Sequence, residues 1–412
     1  MLQCEAMSLE ELPAHLRTPQ VRPLQPVPVQ AQNKETGQTT VLIGLRDPSM
    51  LSNQMMVVPP PAVQLIQHFR GDRSLEDIAA LFKTEIQPVV ELVKKMDEFG
   101  LLWGPTFERL ESEMKAKLQE DGHFPVTASG TLGQDVDAAR KQLTEWLEGS
   151  EDPELDTPAS GIIAPHLDYA RGWPVYASSY RCFEGAEKPD RVVVLGTNHF
   201  GLGDGVVMSD LGFRTPLGAV EPDREVLSKL RASLGDRLFV DQLDHLPEHS
   251  IQLHLPWIQY LWGDVPVVAA LIPDPLTPMI SDDGGRVGRE EFVRSLRQAL
   301  KDVGGRTYVV ASSDLSHVGP QFGEPVAVND QRKIEVERHD RELMGKYMSA
   351  DPKQFLDACE WTKNPTRWCS IGNMAAALEL LQPATVELVD YRQAFDPEGV
   401  AMVTSCSMAL VS

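Results

Sequence analysis

Val192-Val-Val-Leu-Gly-Thr-Asn-His199 is an apolar run that stops at a polar, chemically capable group. Runs of this length without polar alternation read as strands buried on both faces. Three more stretches repeat the design: Gly161-Ile-Ile-Ala-Pro-His166, Val267-Val-Ala-Ala-Leu-Ile-Pro-Asp274 and Tyr308-Val-Val-Ala-Ser-Ser-Asp314-Leu-Ser-His317. In an open α/β sheet, ligands bind in the crevice beyond the carboxyl ends of such strands. Two strands, read as adjacent, that each deliver a histidine to that edge point to a metal or catalytic site.

Outward from these runs, strands are expected at 161–165, 191–196, 265–272, 307–311, 385–391 and 400–405. Helices are expected at 137–148, 223–233, 289–302, 329–349 and 371–382. This alternation argues for an α/β layer structure beginning near residue 123. Residues 1–33, rich in Pro and Gln, read as an irregular amino-terminal segment. Residues 34–104 form a small helical module. Its first helix spans Pro61 to Phe69, and Ser74-Leu-Glu-Asp77 starts a second that runs to about Phe82. A third begins at Pro88 and ends near Gly100, and Leu101-Leu-Trp103 reads as a short strand. The pattern resembles a winged-helix or PqqD-like peptide-binding module. Residues 105–122 are a charged helical linker.

At 412 residues the chain suggests one small and one large unit, and 42% hydrophobic content supports a real core. A formal charge of -22 repels phosphate backbones and anionic membranes, so nucleic acid and membrane are excluded as expected partners. The amino-terminal unit carries no basic stripe either, with 12 Lys/Arg against 16 Asp/Glu in residues 1–120. The start, Met1-Leu-Gln-Cys-Glu-Ala-Met, lacks a basic segment and an apolar core, and no run is long enough to span a bilayer. A cytoplasmic location is the expectation. The five cysteines, Cys4, Cys182, Cys359, Cys369 and Cys406, are scattered without a Cys-x-x-Cys pair, which disfavours a disulfide framework or zinc knuckle.

Metal ligation needs neutral imidazole, thiolate or carboxylate converging from rigid elements, and His166 and His199 meet that condition. The plainer alternative is a pair of hydrogen-bonded loop histidines. In Ser312-Ser-Asp314-Leu-Ser-His317, Asp314 could orient His317, or both could face a substrate; alternatively the segment is a capped turn that opens a helix. Glu248-His249-Ser-Ile-Gln-Leu-His254-Leu-Pro-Trp257 holds two histidines five apart. Five residues turn a helix through about 500°, so the two rings point some 140° apart. Either one lines the pocket and the other packs, or, taken on the segment alone, both are structural histidines.

Taken together, Ala164-Pro-His166-Leu-Asp-Tyr169, Leu195-Gly-Thr-Asn198-His199, Arg214-Thr-Pro-Leu217, the Glu248–Pro256 segment and Ser312–His317 resemble the Memo family, also called system protein B of the AmmeMemoRadiSam grouping. The resemblance covers about 123 to 412, and Glu-His-Ser-Ile-x-x-His-Leu-Pro is its most specific part. It implies a mixed central sheet flanked by helices, similar to class III extradiol dioxygenases, here preceded by a small mainly helical domain. It also implies a metal site of two histidines and a cysteine, with His166 and His199 as the histidines. His249, His254, Asp314 and His317 map onto further pocket residues, and Glu248, Tyr169 and Asn198 belong to the matching motifs. In the dioxygenase relatives a histidine at the His317 position acts as acid/base. The cysteine departs from the pattern. Where family members read Cys-Gly-x-x-Pro-Ile-Gly, this chain has Thr366-Arg-Trp-Cys369-Ser-Ile-Gly372, which puts Thr366 at the cysteine position and Cys369 three residues later.

The resulting expectation is a non-haem metalloprotein with an oxidoreductase, dioxygenase-like site. Fe(II) leads as the metal, with copper or zinc as alternatives, and His317 and Asp314 would handle protons. Two other readings stand beside it. One is a non-catalytic scaffold that binds a peptide or radical-SAM and AMMECR-type proteins; the other is a zinc-type hydrolase.

Overall fold

The computed structural model describes residues 9–32, 39–201, 205–276 and 285–412. Cys4 lies outside them. The chain divides into two compact units, Met1–Asp121 and Gly122–Ser412.

The first unit contains an antiparallel sheet of β1 (Gln25–Gln32), β2 (Thr39–Arg46) and β3 (Met56–Val58), in that order. The Pro/Gln-rich stretch is therefore a strand over much of its length, not irregular. Pro26 and Pro28 lie two apart and so withdraw donors from one side of β1; among the described residues β1 pairs with β2 alone, so it has a side that needs none. Helices Pro60–Ile66, Leu75–Phe82 and Ile86–Glu98 complete a core around Phe69, Leu75, Ile78, Val93 and Met96. The Ser74 Oγ caps the second of these by accepting the Asp77 N–H at 3.2 Å. Pro88 falls in the first turn of the third, where no N–H is required. Leu101–Trp103 forms no strand. It makes one bridge, Leu102 to Val21, before helix Pro105–Asp121 begins.

The second unit carries β4 (His123–Phe124), β5 (Gly161–Ala164), β6 (Arg191–Thr197), β7 (Val207–Met208), β8 (Gly212–Thr215) and β9 (Gly218–Val220). These are followed by β10 (Val267–Ile272), β11 (Thr307–Ser312), β12 (Asp314–Val318), β13 (Thr385–Phe395) and β14 (Met402–Val411). Strands β4, β8 and β9 make a small sheet of their own. The main sheet has the order β12-β14-β5-β11-β6-β10-β7, with β13 paired to β14. It is mixed: β5, β11, β6 and β10 run parallel, and β7, β12, β13 and β14 pair antiparallel. Helix Ile371–Leu381 packs on β5, β6 and β11, and helix Tyr169–Arg181 on β5, β13 and β14.

Alternation explains the apolar runs. Val193 and Leu195, Val268 and Ala270, Val309 and Ala311 all enter one core with Met374 and Leu378, while the residues between them point to the other, equally buried face. The strand order corrects one expectation. Strands β5 and β6 are not adjacent, because β11 lies between them. The segment after Asp314 also differs from a helix start: it forms β12, which pairs with β14 through a register shift.

Candidate metal centre

His166 follows β5 and His199 follows β6, so the two rings meet across the end of β11. Their centroids are 4.9 Å apart. Ser312, the last residue of β11, fixes the first ring. Its hydroxyl donates to the Ser250 carbonyl at 2.6 Å and therefore accepts from His166 Nδ1–H at 3.1 Å. That leaves the lone pair of His166 on Nε2.

Glu248 fixes the other two rings. It caps the short helix His249–Gln252 and accepts the His249 and Ser250 N–H groups, both at 2.9 Å. It also accepts the His199 N–H at 2.8 Å. Its carboxylate then meets His199 Nδ1 at 3.1 Å and His249 Nδ1 at 3.2 Å. A carboxylate on Nδ1 sets the tautomer and leaves Nε2 free, the arrangement found behind metal-binding histidines. The segment reaches the site because β6 has Gly196 where a Cβ would come within 2.7 Å of the Ser250 hydroxyl.

His249 lies 4.8 Å from His199 and 5.3 Å from His166 between ring centroids. Among the described residues, His166, His199 and His249 offer ligand nitrogens that all lie within 4.8 Å of one another. His166 is buried and His249 half-buried, while the His199 side chain keeps 22% exposure and leaves the cluster open on one side. Three ring nitrogens this close, each on a ring whose Nδ1 meets an acceptor, fit a divalent transition metal such as iron, copper or zinc.

The electrostatics favour a ligating imidazole at His166, whereas at His249 a metal would have to displace a proton. Burial, then the charges of His199 and His249, hold His166 well below the usual imidazole range, so it is neutral and able to ligate. For Glu248 burial acts upward, but the charge and hydrogen bond of His199, with those of His249, hold the carboxyl well below its usual range. Burial pulls His249 down, yet Glu248 outweighs it and the net direction is up.

The remaining expected residues take varied places. Cys369 does reach the cluster, with Sγ 3.3 Å from His166 Nε2, whereas Thr366 is buried and gives its carbonyl to the His317 N–H. Burial, then Asp314, push the Cys369 thiol up; a metal would reverse that, since a coordinating thiol deprotonates. Asp314 does not orient His317. It accepts the His166 N–H at 3.1 Å, because β12 begins where β5 ends. Burial lifts Asp314 to about 7 against that hydrogen bond. His317 is held instead by backbone: its Nδ1 meets the carbonyls of Leu315 at 3.0 Å and Arg367 at 3.2 Å, and Nε2 has no partner among the described residues. Burial takes His317 down to about 4.

His254 is fully buried, with Nδ1 3.0 Å from the Tyr180 hydroxyl. Tyr169 donates to the Leu253 carbonyl at 2.5 Å and so braces the same segment. Asn198 orders the turn beyond β6 by donating to Asp244 at 2.8 Å and accepting the Gly201 N–H at 2.9 Å. Sequence reasoning placed His249 in the pocket without seeing it as a ligand, and passed over Ser312 as the brace of His166. The signal for the first was a glutamate directly before the histidine at a helix start.

Fold and cluster together define an α/β protein with a candidate three-imidazole metal centre at the carboxyl edge of a mixed sheet. The family model described as Memo-like protein matches residues 126–409, and the chain belongs to the Memo family. It is 37% identical over 206 residues to a MEMO1 family protein of Pyrobaculum aerophilum, covering 47% of this chain and 70% of that one. It is 30% identical over 292 residues to a MEMO1 family protein of Methanopyrus kandleri, covering 67% of this chain and 93% of the relative. A MEMO1 family protein of Aquifex aeolicus, 26% identical over 360 residues, covers 84% of this chain and 90% of its own length. That alignment is longer than residues 122–412 and therefore extends into the amino-terminal unit. Among the described residues no helix is long and apolar enough to cross a membrane.

Proposed function

We propose that this chain is a non-haem metalloprotein that takes Fe(II) on His166, His199 and His249, with Cys369 beside the ion, and acts as a dioxygenase-like oxidoreductase on a small molecule. The observation that carries the proposal is three histidines with ring nitrogens within 4.8 Å of one another, their Nδ1 atoms engaged by Glu248 and Ser312. A bound ion would supply Lewis acidity and open positions for substrate and dioxygen. The chain's own part is proton handling and orientation. His317, neutral at pH 7 with Nε2 unengaged among the described residues, accepts a proton from a substrate hydroxyl. Asp314 holds the backbone of His166 in place.

The test is elemental analysis and oxygen uptake after anaerobic Fe(II) loading of wild type, His166→Ala, His199→Ala and His249→Ala. The proposal expects one iron per wild-type chain and loss of both iron and uptake in the variants. Retention of iron and activity by His166→Ala contradicts it.

Two other readings have support of their own. Three histidines also form a common catalytic zinc set, which favours metal-assisted hydrolysis; zinc in the isolated protein with ester turnover and no oxygen uptake selects it. In the amino-terminal unit, β3 has one side without a partner strand among the described residues, beside an apolar groove of about 380 Å³ lined by Met56, Val58, Leu65, Val89 and Leu92. An extended peptide adds to such an edge as a further strand, which supports the scaffold reading with a peptide partner. A stable complex abolished by Leu92→Glu, without oxygen uptake by the loaded chain, selects that one.

A further inference from the structure

Asp340, on helix Asp330–Tyr347, is fully buried and accepts four side-chain donors. Oδ1 takes the Ser316 hydroxyl at 2.5 Å and the Trp368 indole N–H at 2.8 Å. Oδ2 takes the Tyr391 hydroxyl at 2.8 Å and the Thr404 hydroxyl at 2.6 Å. Thr404 in turn accepts the Ser316 backbone N–H at 2.8 Å. A carboxylate has about four acceptor positions, so this one is saturated.

Two of the four donors sit directly before site residues. Ser316 precedes His317 on β12, and Trp368 precedes Cys369. The segment that leads to Cys369 has little regular structure to hold it, and Lys363, Asn364 and Arg367 adopt φ of +56°, +46° and +61°. Non-glycine residues persist in that region only where their surroundings over-determine them. Asn364 supplies part of the restraint through hydrogen bonds to the Trp368 backbone at 2.7 and 2.9 Å. The Asp340–Trp368 bond supplies the anchor from the core.

We infer that Asp340 is a positioning residue: from behind the sheet it ties the Cys369 loop to β12 and so sets where the thiol and the His317 ring stand relative to His166. A buried polar network that served packing alone would respond alike to loss of any of its donors. A positioning device responds only to loss of those on the site-bearing segments. Tyr391 and Trp368 separate the two cases, because each gives one bond to the same carboxylate and only Trp368 adjoins the site.

The consequence for metal binding rests on the metal-centre reading above, but the placement of the thiol does not. The first measurement therefore uses the metal-free full chain in a Cys4→Ser background. An aromatic disulfide reagent is followed at Cys369 by peptide mapping, since Cys182, Cys359 and Cys406 are buried. Loss of a hydrogen bond to a buried charge should change the Cys369 rate by about tenfold in Trp368→Phe and Asp340→Asn, with Tyr391→Phe within about twofold of wild type. Equal shifts in Trp368→Phe and Tyr391→Phe, or no shift in either, overturn the inference, even if Asp340→Asn fails to fold. Co(II) titration then reads the metal arm. A thiolate charge-transfer band in wild type that weakens in Trp368→Phe but not in Tyr391→Phe extends the inference to the ion. Co(II) binding with no such band removes Cys369 as a ligand, and leaves the positioning role to be decided by the thiol rates.

Discussion

His249 and His254 leave one short segment, five residues apart, and differ in every respect that bears on metal binding. His249 is half-buried and its Nδ1 faces the Glu248 carboxylate at 3.2 Å; His254 is fully buried and its Nδ1 faces the neutral Tyr180 hydroxyl at 3.0 Å. Burial acts downward on both. At His249 Glu248 reverses it, and at His254, where no carboxylate answers, burial prevails and takes the ring to about 3. The lesson is that the partner on the far nitrogen, with access to the cluster, separates a ligand from a packing residue. Residue type and motif membership do not.

The widest gap this comparison predicts is in metal affinity. His249→Ala should weaken binding by at least about a hundredfold, more than loss of an outer partner does, while His254→Asn stays within about threefold of wild type. Competition with a chromophoric chelator measures both. Equal losses would dissolve the distinction. Next comes the carboxylate itself. Glu248→Gln keeps an acceptor but removes the charge shared by His199 and His249, and should cost about ten- to a hundredfold in affinity in the same assay.

The smallest effect is on stability against pH. The unfolded chain protonates His254 near the ordinary imidazole value, whereas the folded chain resists until about 3. In that window the unfolded state binds more protons, so stability falls as pH falls. Removing the group in His254→Asn should make the metal-free protein lose about 1 kcal/mol less than wild type between pH 7 and 5.5, measured by urea unfolding at each pH. An unchanged difference between the two proteins across that range would contradict the assigned burial.

The strands that build the site were legible because burial on both faces leaves an apolar run with no polar interruption, as in β6 and β10. Their order was not, since the insertion of β11 between β5 and β6 is settled by long-range pairing and not by local sequence. The same cause hid β12. Asp314-Leu-Ser-His-Val carries the polar residues of a helix cap, and it becomes a strand only by pairing with β14, far along the chain. Asp314 was consequently assigned to His317 when the end of β5 gives it to His166. That His249 and His254 diverge was readable from helix geometry, but which ring faced the cluster was decided by Glu248. In the amino-terminal unit, prolines suggested irregular chain where an outer strand tolerates them. Asp340 carried no local mark at all, because its four donors come from β12, β13, β14 and the Cys369 loop.

The central claim is that three imidazoles grip one ion, and the most direct test is the structure of the chain loaded with Zn(II) as a redox-silent stand-in, located by anomalous diffraction. A single ion is expected there, with Nε2 of His166, His199 and His249 each at about 2.1 Å. An ion bound elsewhere, or one held without at least two of those rings, would contradict it.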